Sequence, residues 1–290
     1  MNSMQYYSPN TLKEYYKIFS QIADKKILIF SGGTDVMIGR HDISQDYVII
    51  DISGLDELKG IEKKEDKIII GSRTTLNELL YSHQIQNDIP ILSKAIKTMA
   101  SEQVRNRATI GGNIGNASPA GDTITPLVVL EARVEIFSPE SRVVRIIPIE
   151  ALFCGPCATT LKKGEIITKI IIPLSKDKDV FYYFRKIGQR NAMTITKASL
   201  SAIAKYSDGK IEWIKLASGS VSPVVKRMSK TEEFLKGKEL IPAAIDEAKE
   251  MIAKEISPIT DIRSTKAFRV LITKNLLKDC LYYLIRQQNI

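Results

Sequence analysis

The apolar and polar positions near the start of the chain predict one helix followed by two short strands. Residues 10–23 carry a single apolar helical face, and Asn10 is a suitable N-cap for them. The segments 27–30 and 47–52 are short and apolar, as buried strands are. The first of them ends at the glycine turn 31–33. The predicted order is therefore helix, strand, glycine turn, strand.

The middle of the chain combines three predicted strands with two predicted helices. One helix is expected from Thr75 and another over residues 91–100, because apolar residues recur there at helical spacing. Pro173 and the charged segment 175–179 predict a linker. The predicted strands are Lys67–Ser72, Arg133–Phe137 and Glu165–Pro173.

After the linker the pattern changes to longer strands and then to helices. Residues 207–209, Ser-Asp-Gly, form a turn sequence that would close a hairpin between two of the strands. Two apolar stripes at helical spacing follow, and such stripes are typical of helices that pack in a core. The strands are Phe181–Lys186, Ala198–Tyr206 and Ile211–Ala217, and the stripes are Ile245, Ala248, Ile252, Ile256 and Phe268, Ile272, Leu276, Cys280, Leu284.

Length and composition predict a globular protein of about two domains. The chain has 290 residues, of which 44% are hydrophobic, and this is sufficient for well-buried cores. No segment approaches the roughly 18 uninterrupted apolar residues of a membrane span, and the first residues lack the order of a signal peptide. A cytoplasmic protein is therefore expected. The three cysteines do not indicate a disulfide framework.

The net charge narrows the choice of partners only slightly. A formal charge of +9 suits an anionic cofactor, an acidic partner or nucleic acid. The basic residues are scattered and are not interleaved with aromatic residues, which disfavours a nucleic-acid module. A hydrolase is disfavoured as well, because no Gly-x-Ser-x-Gly motif accompanies His41 and His83.

Two glycine turns are the strongest candidates for a binding site: Ser-Gly-Gly-Thr-Asp at 31–35 and Thr-Ile-Gly-Gly-Asn at 109–113. Glycine allows positive φ and close approach of a ligand, and consecutive free amides form a concavity that binds anions such as a pyrophosphate. Threonine hydroxyls and the Asn113 amide add donors. Each turn alone is equally compatible with a purely structural role. Neither matches a Gly-x-Gly-x-x-Gly fingerprint or a phosphate loop.

Four segments in a fixed order carry a family resemblance. They are Phe30–Val36, Arg105–Ile114 with its extension Ser118–Asp122, Gly164–Ile167 and Phe184–Arg190. Together they resemble the flavoprotein subunits of xanthine dehydrogenase, carbon monoxide dehydrogenase, nicotinate dehydrogenase and related molybdenum hydroxylases. The resemblance extends over nearly the whole chain, and its second segment is highly specific.

The resemblance implies an α+β fold with two domains. A two-part FAD-binding domain of the vanillyl-alcohol-oxidase (PCMH) type would span 1–175, with subdomains at about 1–56 and 57–175. A smaller C-terminal flavoprotein domain of the carbon monoxide dehydrogenase type, with an antiparallel sheet and helices, would span 180–290. FAD is expected between them.

The resemblance also implies contacts to FAD. Both glycine turns would grip the phosphates, Asp122 would bind a flavin-side hydroxyl, and Ile166–Ile167 would lie beside the isoalloxazine. Further along the chain, the resemblance implies that Phe184 and either Arg185 or Lys186 belong to the cofactor site. No metal ligand is implied. The complete implied set is Leu28, Ile29, Phe30, Ser31, Gly32, Gly33, Thr34, Asp35, Ser101, Thr109, Ile110, Gly111, Gly112, Asn113, Ser118, Asp122, Ile166, Ile167, Phe184 and Lys186.

The implied function is that of an FAD subunit in an oxidoreductase complex. A partner subunit with two [2Fe-2S] clusters would deliver electrons from a molybdopterin subunit, and the FAD of this chain would pass them to NAD or to oxygen, quinone or ferredoxin. Two other functions are compatible with the sequence. One is a flavin-free scaffolding subunit, and the other is a stand-alone flavin reductase of the same fold.

Several of these residues also have simpler interpretations. Asp122 is suited to cap a helix that starts near Thr123, and Ile166–Ile167 taken alone are typical core strand residues. Cys154-Gly-Pro-Cys157 departs from the Gly-Pro-Gly that is usual in the family and leaves a redox or metal role open. A zinc or iron–sulfur site normally needs four ligands, and no second paired motif is present, so no intrinsic cluster is expected.

Overall fold

The computed structural model describes residues 4–39, 46–177, 179–190 and 193–287. Within them, helices accompany one parallel and two larger antiparallel sheets, so the predicted α+β class is confirmed. No helix of the described residues is long and apolar enough to cross a membrane.

The N-terminal part is a three-stranded parallel sheet with one packed helix. In chain order its elements are β1 (Gln5–Tyr7), α1 (Leu12–Ile22), β2 (Lys26–Phe30), α2 (Val36–Gly39) and β3 (Tyr47–Asp51). β3 lies between β1 and β2 and is parallel to both. The predicted Asn10 cap is wrong. The N-cap is Thr11, whose hydroxyl accepts a hydrogen bond from the amide of Glu14 at 3.1 Å.

A five-stranded antiparallel sheet and six short helices follow. They are β4 (Ile61–Lys63), β5 (Lys67–Gly71), α3 (Leu76–Tyr81), α4 (His83–Asp88), α5 (Pro90–Lys97), α6 (Glu102–Arg105), α7 (Ile110–Asn116), α8 (Ile124–Val129), β6 (Arg133–Phe137), β7 (Val144–Pro148), the small pair β8 (Phe153–Gly155) and β9 (Ala158–Thr159), and β10 (Ile166–Pro173). β10 is central, between β5 and β6. The helix predicted over 91–100 ends earlier, at Lys97, and Ala100 has a φ of 42° that a right-handed helix does not allow.

The C-terminal part is a four-stranded antiparallel sheet with three helices. Its elements are β11 (Val180–Ile187), β12 (Ala198–Ser207), β13 (Lys210–Gly219), β14 (Lys226–Arg227), α9 (Ser229–Leu235), α10 (Pro242–Glu255) and α11 (Lys266–Gln287). The predicted hairpin is confirmed, because Ser207 pairs with Lys210 across the turn. Asp208 and Gly209 have φ values of 50° and 76°, as in the turns that match strand twist.

The four-stranded sheet is buried on both faces and thereby fixes the C-terminal part against the rest. On β12, Leu200 joins the cluster formed with α10 and α11, whereas Ile203 joins the cluster of the five-stranded sheet and its helices. Side chains alternate between the two faces of a strand, so neighbouring residues serve different cores. α8 packs directly on β12 and β13. Side chains from the two parts can therefore meet near the start of α8.

Candidate cofactor-binding site

A cleft of about 490 Å³ opens between the end of β2, the start of α7 and the start of β10. This volume lies within the roughly 300–1,000 Å³ of small-molecule sites. Both glycine turns and the apolar start of β10 line it, although they are distant in sequence. The predicted residues on its wall are Leu28, Ile29, Phe30, Ser31, Gly32, Gly33, Thr34, Asp35, Thr109, Gly111, Gly112, Asn113, Ile166 and Ile167.

The first glycine turn packs directly against Arg107 and Ala108, which lead into the second turn. A Cβ added to Gly32 would lie 2.0 Å from the carbonyl oxygen of Arg107, so only glycine fits without a backbone shift. Arg107 also donates from Nε to the carbonyl oxygen of Gly32 at 3.4 Å. Gly33 has a φ of 72°, in the left-handed region that glycine adopts without strain. Both glycines of the first turn are thus required by local geometry.

The second turn is the start of α7, and it uses its backbone amides internally. The amide of Gly111 donates to the carbonyl oxygen of Ser72 at 2.8 Å. Those of Gly112 and Asn113 donate to the hydroxyl and the carbonyl oxygen of Thr109, each at 3.0 Å. Thr109 is therefore the N-cap of α7. This turn can therefore contact a ligand mainly through its open surface and its side chains.

Free hydrogen-bond donors are concentrated on the first turn. Among the described residues, the amides of Gly32, Gly33 and Thr34 have no acceptor. The hydroxyl of Ser31 is buried and also lacks a partner. From the second turn, Asn113 accepts from the Thr123 hydroxyl at 2.6 Å through Oδ1, which leaves its Nδ2 to donate. An unpaired buried hydroxyl is costly, and consecutive free amides form an anion-binding concavity, so this arrangement fits an anionic or polar ligand.

The opposite wall is apolar apart from one charged side chain. Ile166 and Ile167 are buried at the start of β10, and Glu165 precedes them with 4% of its side chain exposed. Burial alone would raise the pKa of Glu165. The guanidinium of Arg145 at 2.7 Å and the amide of Lys162 at 2.8 Å outweigh burial and lower that pKa. Glu165 is therefore held as an anion by partners within the chain.

Six predicted residues do not line the cleft. Ile110 is fully buried in the core, and Phe184 packs against the same core cluster. Ser101 caps α6 by accepting from the amide of Val104 at 3.4 Å. The hydroxyl of Ser118 accepts from the amide of Ala120 at 3.3 Å. The two others, Asp122 and Lys186, contact each other.

Asp122 and Lys186 form a buried ion pair between the two parts of the chain. The Lys186 Nζ lies 2.5 Å from Asp122 Oδ2, and the Thr196 hydroxyl donates to Asp122 Oδ1 at 2.5 Å. Burial raises the pKa of Asp122, while Lys186 and Thr196 oppose that rise. The helix-cap interpretation of Asp122 is wrong, because α8 has Thr123 at its N-cap position and no side-chain cap. Arg185 instead points to the surface and pairs with Asp279 at 2.5 Å.

Several cleft residues were not predicted. Gly115 and Asn116 extend the second turn along α7, and a Cβ on Gly115 would meet nothing within 4 Å. A continuation of the glycine pattern at 111, 112 and 115 was the available sequence signal. Of the other residues, Val36, Ala108 and Glu165 lie inside segments that carry the resemblance, whereas the rest reach the wall through tertiary packing alone. These other residues are Val36, Ile52, Ser72, Ala108, Cys157, Leu161 and Glu165.

A smaller cavity of about 220 Å³ lies on the other side of the first turn. It shares Ser31, Gly32 and Thr109 with the cleft. Three basic residues line it: Lys59, Arg73 and Arg107. Lys59 pairs with Glu78 at 2.7 Å and Arg73 pairs with Asp56, so acidic side chains neutralise most of this charge.

No cluster of three or more His, Cys, Asp or Glu side chains suited to a metal occurs among the described residues. Cys154 and Cys157 are exposed and unpaired, and Cys157 lines the cleft. His83 begins α4, whereas His41 lies outside the described residues.

The family of the chain follows from comparison with known proteins. A family model described as the FAD binding domain in molybdopterin dehydrogenase matches residues 2–175. A second, described as the CO dehydrogenase flavoprotein C-terminal domain, matches residues 183–284. The xanthine dehydrogenase FAD-binding subunit of Escherichia coli O157:H7 is 31% identical over 94% of this chain and 93% of that protein. The carbon monoxide dehydrogenase medium chain of Hydrogenophaga pseudoflava is 26% identical over 96% and 95%.

Comparison with solved structures supports the same family. A chain of carbon monoxide dehydrogenase from Hydrogenophaga pseudoflava, solved in a form that lacks the Mo-pyranopterin moiety of its molybdenum cofactor, matches with a TM-score of 0.88 at 25% identity. The match covers 96% of this chain and 95% of that one. The predicted fold, an FAD-binding domain followed by a smaller C-terminal domain, is confirmed. The chain therefore belongs to the FAD-binding subunits of the xanthine dehydrogenase and carbon monoxide dehydrogenase family of molybdenum hydroxylases, a family of oxidoreductases.

Proposed function

We propose that the chain binds FAD in the cleft and acts as the electron-transferring flavin subunit of a multi-subunit molybdenum hydroxylase. One observation carries this proposal: both glycine turns line a single cleft, and the first packs against Arg107 and Ala108 at the entry to the second. Ser31 Oγ on this wall is buried and has no partner among the described residues. Two turns that faced away from each other could not bind the same dinucleotide. The domain division that accompanies the proposal is 1–175 and 180–290.

The donors on the wall fit the chemistry of FAD. A diphosphate would accept hydrogen bonds from the free amides of Gly32–Thr34, from Ser31 and from the Nδ2 of Asn113. Gly115 leaves the wall of α7 open for close approach, whereas a Cβ on Gly112 would lie 2.9 Å from the Thr109 hydroxyl oxygen. Ile166 and Ile167 offer an apolar surface to a ring of the cofactor. Asp122, Lys186 and Phe184 would then lie at the edge of the site.

The bound flavin would supply the redox chemistry, because it exchanges electrons singly or in pairs. The residues of the chain would bind and orient it. The ionisable groups on the described cleft wall are Asp35, Cys157 and Glu165. Glu165 is already held by Arg145. A site that positions a reactive cofactor needs no acid–base pair of its own.

The partners in the proposal are an iron–sulfur subunit with [2Fe-2S] clusters and a molybdopterin subunit. The similar proteins support this assembly, since they are named as an FAD-binding subunit of xanthine dehydrogenase and as a medium chain of carbon monoxide dehydrogenase. Electrons would pass from the clusters to FAD and then to an acceptor. NAD is proposed as that acceptor, with oxygen, quinone or ferredoxin as the alternatives that an acceptor assay would distinguish.

The experiment is reconstitution of the purified, flavin-free chain with FAD. Stoichiometric binding is expected, and Gly112→Val should abolish it, because the added side chain enters the cleft beside the first turn. Ala243→Val is the matched control, since Ala243 is exposed on α10 in the C-terminal part and does not line the cleft.

Three results would contradict the proposal. Unchanged FAD affinity in a folded Gly112→Val variant would exclude this cleft. Failure of the wild-type chain to bind FAD would favour a scaffolding subunit. Purification of an active flavin reductase without iron–sulfur and molybdenum chains would favour a stand-alone enzyme.

A further inference from the structure

Cys154 and Cys157 are reactive groups beside the cleft that flavin electron transfer does not require. Both are free and exposed, whereas Cys280 is fully buried in α11. Burial raises the pKa of the Cys280 thiol, so that residue stays protonated and inert. The spacing Cys-Gly-Pro-Cys is that of dithiol redox motifs. The two thiols thus form a pair for which the proposed function gives no role.

The pair lies at the tip of a small hairpin. Gly155 pairs with Ala158, so Pro156 and Cys157 form a two-residue turn. Cys154 is the extra residue between the paired positions Phe153 and Gly155. The chain reverses direction at this tip, which brings the two ends of the Cys-Gly-Pro-Cys segment toward each other; a disulfide between them requires Cα atoms roughly 4.4–6.8 Å apart.

The tip is mechanically connected to the cleft wall. Cys157 lines the cleft, and its amide donates to the carbonyl oxygen of Ala117 at 3.1 Å. Ala117 is the left-handed C-cap of α7, with a φ of 50°. Cys157 itself has a φ of 53°, a conformation that disfavours residues other than glycine. A cysteine at this strained position therefore contacts the helix whose first turn shapes the cleft.

We propose that Cys154 and Cys157 form a dithiol–disulfide pair, and that oxidation of this pair weakens FAD binding in the adjacent cleft. The coupling rests on the proposed FAD site. The oxidant is a small disulfide such as oxidised glutathione. One cysteine thiolate attacks the oxidant to form a mixed disulfide, and one thiol leaves. The second cysteine displaces the other thiol, so two electrons and two protons pass from the pair to the two released thiols.

The disulfide changes the wall for a geometric reason. An S–S bond requires Cβ atoms roughly 3.5–4.5 Å apart, so its formation draws the Cys157 side chain toward Cys154 and moves the tip. In the reduced form, Cys157 lines the cleft together with Gly115 and Asn116, so a change at the tip changes this part of the wall. Linkage is reciprocal, so bound FAD also disfavours oxidation and shields Cys157 from alkylation.

The test compares FAD affinity of the full chain, by flavin fluorescence, in its reduced form and after oxidation with diamide. Diamide oxidises two neighbouring thiols to a disulfide and is itself reduced to the hydrazine. Peptide mass spectrometry identifies the disulfide. Oxidised wild type should bind FAD at least about fivefold more weakly, the lower end of typical coupling between sites, and dithiothreitol should reverse this. Cys154→Ser, which cannot form the bond and does not line the cleft, should keep its affinity after diamide.

A second readout is alkylation by N-ethylmaleimide under native conditions. Saturating FAD should slow the labelling of Cys157, and Cys280 should stay unlabelled with or without FAD. Three outcomes would overturn the proposal: no Cys154–Cys157 disulfide after diamide, a disulfide with unchanged FAD affinity, or an equal loss of affinity in Cys154→Ser. If the reduced wild type fails to bind FAD, the proposed function fails first, whereas the mass of the oxidised peptide still reports on the thiol pair.

Discussion

The ammonium nitrogen of Lys186 lies 2.5 Å from a carboxylate oxygen of Asp122, with only 4% and 7% of the two side chains exposed. Lys186 belongs to β11, and Asp122 directly precedes the N-cap of α8, so the pair joins the C-terminal sheet to the part with the glycine turns. Removing such charges from water costs several kcal/mol per ion. Each charge is therefore tolerated only because the other is present.

Loss of one partner should therefore destabilise the chain strongly. Lys186→Met leaves the Asp122 carboxylate buried without a counter-ion, and we expect a loss of about 3–5 kcal/mol in the free energy of unfolding. Urea unfolding measures this change. Arg185→Met is the control on the same strand, because the Arg185–Asp279 pair is 55% and 50% exposed. Such surface pairs contribute at most about 1 kcal/mol. Equal losses in the two variants would show that the buried pair has no special role.

Local patterns in the sequence were sufficient for much of the fold. The β12–β13 hairpin follows from the Asp208-Gly209 turn between two apolar runs, and α10 and α11 follow from their apolar stripes, whereas α9 was not predicted. The choice between Arg185 and Lys186 could not be made this way. It depends on the register of β11, since a shift of one residue moves a side chain to the other face.

Fourteen of the twenty residues that the resemblance implies line the cleft, but the geometry of its walls was not predictable. Gly32 and Arg107 are 75 residues apart, and their contact depends on how the two parts of the FAD-binding domain pack. The sequence also suggested that both turns present free amides. In the structure the amides of the second turn already have acceptors, because Thr109 and Ser72 provide them. Capping hydrogen bonds of this kind depend on tertiary position as well as on residue type.

Substitution of Gly115 should raise the stability of the chain and lower its affinity for FAD. Gly115 lies inside α7 and its added Cβ meets nothing within 4 Å, so Gly115→Leu should gain up to about 1 kcal/mol of helix propensity. The same side chain projects into the cleft, and filling a binding site by this amount should lower FAD affinity about tenfold or more. Thermal unfolding and flavin titration measure the two effects. A variant that binds FAD normally would place the cofactor away from α7.

Ser31→Ala should have different effects on the free and FAD-bound chain. The Ser31 hydroxyl is buried and has no partner in the described part of the chain, so its removal should leave the stability of the flavin-free chain unchanged or raise it by about 1 kcal/mol. If the hydroxyl donates to FAD, affinity should fall about 2–10-fold, the value of one hydrogen bond. Loss of stability without loss of affinity would indicate a structural role for Ser31 instead.

Lowering the pH should remove the contribution of Glu165 to the stability of the folded chain. The folded-state pKa of Glu165 is lowered from 4.5: burial acts in the opposite direction, but Arg145 and the Lys162 amide outweigh it. A carboxyl group whose pKa is lowered by folding contributes its full stabilisation at pH values above its unfolded-state pKa. That stabilisation is lost as the pH falls through its folded-state pKa. The free energy of unfolding of the wild type should therefore exceed that of Glu165→Gln by about 1–3 kcal/mol near pH 7. The difference should shrink once the pH falls below 4.5.

Urea midpoints of both chains between pH 7 and pH 3 test this dependence. Glu62→Gln is the control, because Glu62 is 64% exposed and contacts only Lys64, at 3.4 Å, among the ion pairs of the described residues. Its difference from wild type should stay within about 0.5 kcal/mol across the range, as for most surface substitutions. A difference for Glu165→Gln that is constant with pH would mean that packing of the side chain, and not its charge, stabilises this wall of the cleft.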